Sequence, residues 1–224
     1  MFNIFYEFTT KQDGNLAFHV KDLKENVEKN RITLAGKYGF NIDNLIYMNQ
    51  VHGNNVEIVD KNSPRLIDNC DGIITKEKDL TLMVMVADCI PILFMDKKEG
   101  VIAAVHAGRN STFQKIAQIT AQKMINDLNC KPENIEVVLG PSIQKCCYEV
   151  NQEMANIVKK SFGKEFVQGR LIDLQGINKK LLNDLNVTNI SVSNTCTKCS
   201  NEPFYSYRLD NQCGRFSGLV SILS

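Results

Sequence analysis

Apolar positions along the chain switch repeatedly between the short runs of buried strands and the wider spacing of helices. Leu82 to Val86, Ile92 to Met95 and Val101 to Val105 are apolar runs separated by turn residues, which predicts strands covered on both faces. Asn55 to Val59 and Ile135 to Leu139 read the same way, and Ile190 to Val192 and Leu219 to Ile222 are weaker instances. From Ser111 onward the period lengthens. Phe113, Ile116, Ala117, Thr120, Met124 and Leu128 share one stripe, which predicts a single amphipathic helix capped by Ser111 and running to Leu128. Further helices are predicted over Lys24 to Tyr38, Gln152 to Ser161 and Gly176 to Leu185. No low-complexity linker, charge block or solenoid-length repeat divides the chain. The pattern predicts an α+β (mixed α/β) fold: one domain over residues 1–224, with mixed β-sheets flanked by helices.

Composition sets the surroundings. A chain of 224 residues with 43% hydrophobic and 23% charged residues can bury a sizeable core and is not disordered. The formal net charge of +1 supplies no global field for nucleic acid or an anionic membrane, so neither is expected as a partner. The longest apolar candidate, Leu80 to Met95, is broken by Asp88 and Pro91 and does not read as a membrane span. The opening Met1-Phe2-Asn3-Ile4-Phe5-Tyr6-Glu7 lacks the basic start and apolar middle of a signal peptide, so a cytoplasmic chain is expected. Its eight cysteines are therefore read as thiols.

Candidate chemistry centres on the three histidines, His19, His52 and His106. His52 lies in a turn, Asn49-Gln50-Val51-His52-Gly53. Cys89 follows the run Leu82 to Val86, and His106 ends the run Val101 to Val105. Residues at the ends of neighbouring strands can converge on one pocket. Two imidazoles and one thiolate make three zinc ligands with a fourth position open to water or substrate. The same residues also read as a Cys-His nucleophile pair, with Asp88 or another carboxylate orienting the histidine, or simply as core and hydrogen-bonded residues. Cys196-Thr197-Lys198-Cys199 is a lone CxxC. Cys146-Cys147 would complete a four-thiolate zinc site, but adjacent cysteines are not expected to reach one metal together.

Several segments jointly resemble the purine nucleoside phosphorylase family of the laccase-domain, polyphenol-oxidase-like type, also called the YfiH family. They are Gln50-Val51-His52-Gly53, Asp71-Gly72-Ile73-Ile74-Thr75, Ala87-Asp88-Cys89-Ile90-Pro91, Val105-His106-Ala107-Gly108, Gly140-Pro141-Ser142-Ile143 and Cys146-Cys147-Tyr148-Glu149-Val150. Cys196-Thr197, Phe204-Tyr205-Ser206-Tyr207-Arg208-Leu209-Asp210 and Gly214-Arg215 complete the set, in the family's order and over nearly the whole chain. The resemblance implies a catalytic zinc held by His52, Cys89 and His106. It implies phosphorolysis of adenosine, inosine and methylthioadenosine, deamination of adenosine, and a fold related in outline to Cys-His hydrolases. The chain departs from the family where Arg109-Asn110-Ser111 replaces the usual Trp-Arg-Gly, displacing the arginine by one place. The usual Gly-rich N-terminal stretch is shortened to Lys11-Gln12-Asp13-Gly14, and Cys213 stands where a Thr is usual.

For such a reaction Arg208 and Arg215 are candidates for bidentate phosphate recognition. Phe204, Tyr205 and Tyr207 are candidates to stack on the base. The expected partners are a purine nucleoside and phosphate, for a monomer or small homo-oligomer. Three histidines cannot build the copper cluster of a multicopper oxidase, so copper is expected only as a substitute for zinc. Two other readings remain. One is a metal-independent Cys-His amide hydrolase, for example editing a peptidoglycan precursor, with Cys89 as nucleophile and His106 as base. The other is a non-catalytic zinc-containing binding protein.

Overall fold

The computed structural model describes residues 1–223. Strand β1 (Ile4–Phe8) leads to α1 (Lys24–Tyr38), then β2 (Leu45–Met48), β3 (Val56–Ile58), β4 (Leu66–Ile67) and β5 (Gly72–Thr75). The predicted apolar runs follow as β6 (Thr81–Val86), β7 (Ile90–Asp96) and β8 (Val101–Ala107). Helices α2 (Arg109–Phe113) and α3 (Ile116–Leu128) precede β9 (Ile135–Leu139) and α4 (Gln152–Ser161). The chain closes with β10 (Val167–Gln168), β11 (Leu171–Ile172), α5 (Leu174–Asn183), β12 (Asn189–Val192) and β13 (Phe216–Ile222).

The strands form a five-stranded sheet in the order β1-β13-β6-β2-β4 and a six-stranded sheet in the order β12-β9-β7-β8-β5-β3, with a small β10-β11 ribbon. Both large sheets mix parallel and antiparallel pairs. The side chains of β7 and β8 alternate between two cores. Leu93, Met95, Ile102 and Ala104 pack towards Leu82, Val84, Phe216 and Val220 of the other sheet. Ile92, Phe94, Ala103 and Val105 pack towards Ala117, Ala121 and Met124 of α3 and Ile177 and Leu181 of α5. Both faces are covered, so these strands read as continuous apolar runs. Met83, Met85 and Leu219, on the other face of the five-stranded sheet, pack with Leu34 of α1. The mixed α/β single domain expected from the sequence is thus layered as helix, sheet, sheet and helices. Among the described residues, no helix is long and apolar enough to cross a membrane.

Several boundaries differ from the expectation. The single helix from Ser111 is two helices, because Lys115 adopts a left-handed backbone (φ 63°) between them. Ser111 is buried inside α2 rather than capping. The α2 segment is held independently, with Asn178 Nδ2 of α5 donating to Thr112 Oγ1 at 2.9 Å. Helix α5 begins before Gly176 because Asp173 caps it, accepting from the Gly176 backbone at 2.8 Å. His106 lies inside β8, which runs on to Ala107.

Candidate metal centre and pocket

His52, Cys89 and His106 arrive from three different places. His52 lies in the loop between β2 and β3 with φ 60°, an uncommon backbone for a residue other than glycine. One buried carboxylate holds it there. Asp71 accepts backbone hydrogen bonds from Val51 (3.2 Å), His52 (3.0 Å) and Gly53 (2.7 Å). Gln50 docks the same loop on β6, donating from Nε2 to Met85 O (2.7 Å) and accepting from Met85 N (2.9 Å).

Cys89 sits in the bend between β6 and β7, and the antiparallel register brings it to His106. Ile90 pairs with Ala107 and Pro91 with His106, so the start of β7 lies beside the end of β8. The two strands that matter are therefore β7 and β8, not the preceding β6, which belongs to the other sheet. Cys89 Sγ lies 4.0 Å from His52 Nε2, and the His52 and His106 ring centroids are 4.7 Å apart at 80°. One nitrogen from each histidine and the Cys89 sulfur all fall within 4.8 Å of one another.

The donor set fits a metal. His106 Nδ1 donates to Asp71 Oδ1 at 2.8 Å, leaving Nε2 as the ligand nitrogen, the arrangement that orients metal-binding imidazoles. Asp88, the carboxylate considered for that role in the sequence, does something else. It accepts from Thr197 Oγ1 (2.6 Å) and Arg208 N (2.8 Å) and so ties two distant loops to the Cys89 bend. Gly108 leaves room for the cluster. A Cβ there would stand 3.0 Å from His52 Cδ2 and 3.1 Å from Cys89 Sγ.

Burial works against charge on Cys89, but the adjacent His106 charge and hydrogen bonds from both histidines prevail and lower its thiol to about 6. Burial likewise pushes His106 down, but the Cys89 charge and the Asp71 hydrogen bond raise it to about 9. Each group thus favours the charged form of the other, the direction of a thiolate–imidazolium pair.

The three residues open onto a cavity of about 520 Å³, within the range of small-molecule sites. Arg109, Arg208 and Arg215 line it with Tyr148, Tyr207 and His19. Arg208 Nη1 donates to Glu149 O (3.1 Å), and its guanidinium lies 5.1 Å from the Tyr148 ring. Arg215 Nη1 donates to Cys213 O (2.7 Å). Arg109 lines the wall although displaced by one place from the family position. Of the aromatic candidates only Tyr207 reaches the cavity. Phe204 packs on Phe216 at 4.9 Å in the core, and Tyr205 lies under Lys11.

Asp71, Tyr148 and His19 join the site only through the fold. An acidic residue opening the apolar segment Gly72-Ile73-Ile74 was the available signal for Asp71, which is fully buried.

The family model described as "Multi-copper polyphenol oxidoreductase laccase" matches residues 8–223. The chain belongs to this family. A Mycobacterium tuberculosis relative named purine nucleoside phosphorylase is 35% identical over 210 residues, covering 92% of this chain and 83% of its own length. The crystal structure of YlmD from Geobacillus stearothermophilus superposes with a TM-score of 0.92 at 27% identity, covering 99% of this chain and 92% of that one. A Bacillus licheniformis structure titled YfiH gives a TM-score of 0.88 at 25% identity, covering 98% and 92%. The resemblance read from the motifs is thus borne out. In this laccase-type family, relatives named purine nucleoside phosphorylase support an enzyme of the nucleoside phosphorylase type, and the His/Cys site suggests a metal.

Proposed function

We propose that the chain is a zinc-dependent purine nucleoside phosphorylase. It cleaves adenosine, inosine and methylthioadenosine with phosphate, and deaminates adenosine as a side activity. The observation that carries the reading is the meeting of a two-histidine, one-cysteine donor set with three arginines in one cavity. The reading includes a cytoplasmic location, in keeping with eight cysteines carried as thiols.

His52, Cys89 and His106 would hold the metal, and Asp71 would fix the His106 ring. Bound zinc would supply a Lewis acid at the open position, and copper would substitute for it by affinity order. Arg208 and Arg215, with Arg109, would hold phosphate against the anomeric carbon through charge-assisted hydrogen bonds. A phosphate oxygen bonds that carbon as the glycosidic C–N bond breaks, and the purine leaves with the electron pair. Tyr148 and Tyr207 would offer aromatic surface to the substrate.

The thiolate–imidazolium pair favours a second reading, a metal-independent amide hydrolase with Cys89 as nucleophile and His106 as base. One experiment separates the two. Zinc is quantified in wild type and Cys89→Ala, and both are incubated with adenosine with and without phosphate. The phosphorylase reading expects one zinc equivalent lost in the variant, with phosphate-dependent adenine release by wild type alone. Inosine formation reports the deaminase. Wild type that holds no zinc at Cys89 and cleaves no nucleoside overturns the reading and leaves the hydrolase, whereas zinc-loaded wild type that cleaves no nucleoside overturns it in favour of a non-catalytic zinc-containing binding protein.

A further inference from the structure

A second sulfur cluster lies outside the cavity. Cys146 and Cys147 occupy a tight turn in which Cys147 N and Tyr148 N both donate to Gln144 O at 2.9 Å. Cys196 and Cys199 occupy another turn, closed by Ser200 N donating to Cys196 O at 3.0 Å. The two turns are stitched together. Ser142 bridges to Cys196, Thr197 N donates to Ser142 O at 3.1 Å, and Gln144 Nε2 donates to Ser193 O at 3.2 Å.

The four sulfurs lie within 4.8 Å of one another, and Cys146 and Cys199 approach to 3.6 Å. The expectation that adjacent cysteines would not reach one point is therefore corrected. Neighbouring side chains diverge on a strand, but the turn at Gln144 swings both Cys146 and Cys147 to one side. A tetrahedron of sulfurs about 2.3 Å from a zinc ion has edges of about 3.8 Å. The 3.6 Å approach and the 4.8 Å upper limit are compatible with that value. Backbone amides of Gln144, Lys198 and Cys199 lie against the Cys196 sulfur, the contacts a metal-bound thiolate accepts. Cys196 is buried while Cys146 and Cys199 are exposed, so an ion can enter from solvent.

We propose that Cys146, Cys147, Cys196 and Cys199 form a second, structural zinc site that clamps one wall of the cavity. Four thiolates with no open position make a closed site, and an all-sulfur tetrahedral donor set selects zinc over hard cations. Its placement gives it a purpose. Tyr148, which lines the cavity, directly follows Cys147. Thr197, whose hydroxyl holds Asp88 at 2.6 Å beside Cys89, directly follows Cys196. The ion would cross-link two turns some fifty residues apart that the chain otherwise joins only by hydrogen bonds.

The test is metal stoichiometry in the full chain, purified under reductant without chelator. Wild type should carry two zinc equivalents. Cys196→Ser/Cys199→Ser should lose one and melt at a lower temperature, and Cys89→Ala should lose a different one. Because the double variant could misfold, cobalt titration of metal-stripped Cys89→Ala is the second arm. There, a strong sulfur-to-cobalt charge-transfer band with tetrahedral d–d absorption is expected from the remaining cysteines. Absence of that band overturns the site. So does a Cys146–Cys199 disulfide, found in place of metal after thiols are blocked at lysis.

Discussion

Asp71 Oδ1 lies 2.8 Å from His106 Nδ1, and the same carboxylate anchors the backbone that carries His52. One buried group thus positions two of the three candidate ligands. Asp71→Asn keeps the shape but loses the charge that draws the Nδ1 proton, so the metal site should weaken about 10- to 100-fold. Zinc affinity measured by chelator competition checks this. Asp71→Ala should weaken it further by releasing the Val51–Gly53 loop. Unchanged affinity in both variants would detach Asp71 from the metal.

Gly108→Ala probes the space at the cluster. The backbone there has an ordinary φ of −72°, so the substitution brings no backbone strain. The added Cβ would press on His52 Cδ2 and Cys89 Sγ, and both must shift by a few tenths of an ångström. The expected outcome is reduced metal occupancy with little change in the melting temperature of the metal-free protein. A large loss of metal-free stability would instead place the clash in the core.

How much of this was legible from sequence depended on how local each cause is. Strands β7 and β8 showed themselves because both faces are apolar. Strand β1, Ile-Phe-Tyr-Glu-Phe, is only partly buried and carries Glu7, and it was missed. The break at Lys115 is invisible in a periodic stripe that continues across it, since it comes from the separate docking of α2 on α5. His52, Cys89 and His106 could be named because three histidines leave few choices. The role of Asp71 could not, because its partners lie 18 to 35 residues away: His106 meets it through the β5–β8 pairing, and Val51, His52 and Gly53 meet it from the loop between β2 and β3. The gathering of the four cysteine sulfurs within 4.8 Å was not legible either, because it depends on the backbone turn at Gln144 rather than on residue spacing.

The arginines predict a split in kinetics. Hydrogen bonds between charged groups contribute about 1.5–3 kcal/mol, so Arg208→Ala should raise the KM for phosphate roughly 10- to 100-fold. The KM for nucleoside should move less. Arg208→Lys should recover only part of the loss, because an ammonium cannot offer the planar fork. Arg109→Ala tests whether the displaced arginine acts with them. An equal rise in both KM values would mean the wall had collapsed rather than lost a phosphate contact.

Metal removal exposes the charge state of the pair beneath. With the Cys89 thiol lowered to about 6 and His106 raised to about 9, both should be charged at neutral pH in the metal-free protein. Alkylation of Cys89 should then rise through about pH 6 rather than near the 8.5 of an ordinary thiol, and zinc should suppress it. The sign of the metal linkage follows. Between about pH 7 and 9 the sulfur is already deprotonated, but His106 must give up a proton before Nε2 can bind. Zinc binding should release about one proton from His106 over that range, and affinity should strengthen about tenfold per pH unit until the imidazolium is gone near pH 9. Calorimetry in buffers of different ionisation enthalpy counts the proton directly. If none is released at pH 7.5, His106 is neutral before the metal arrives, and the thiolate–imidazolium pair does not form.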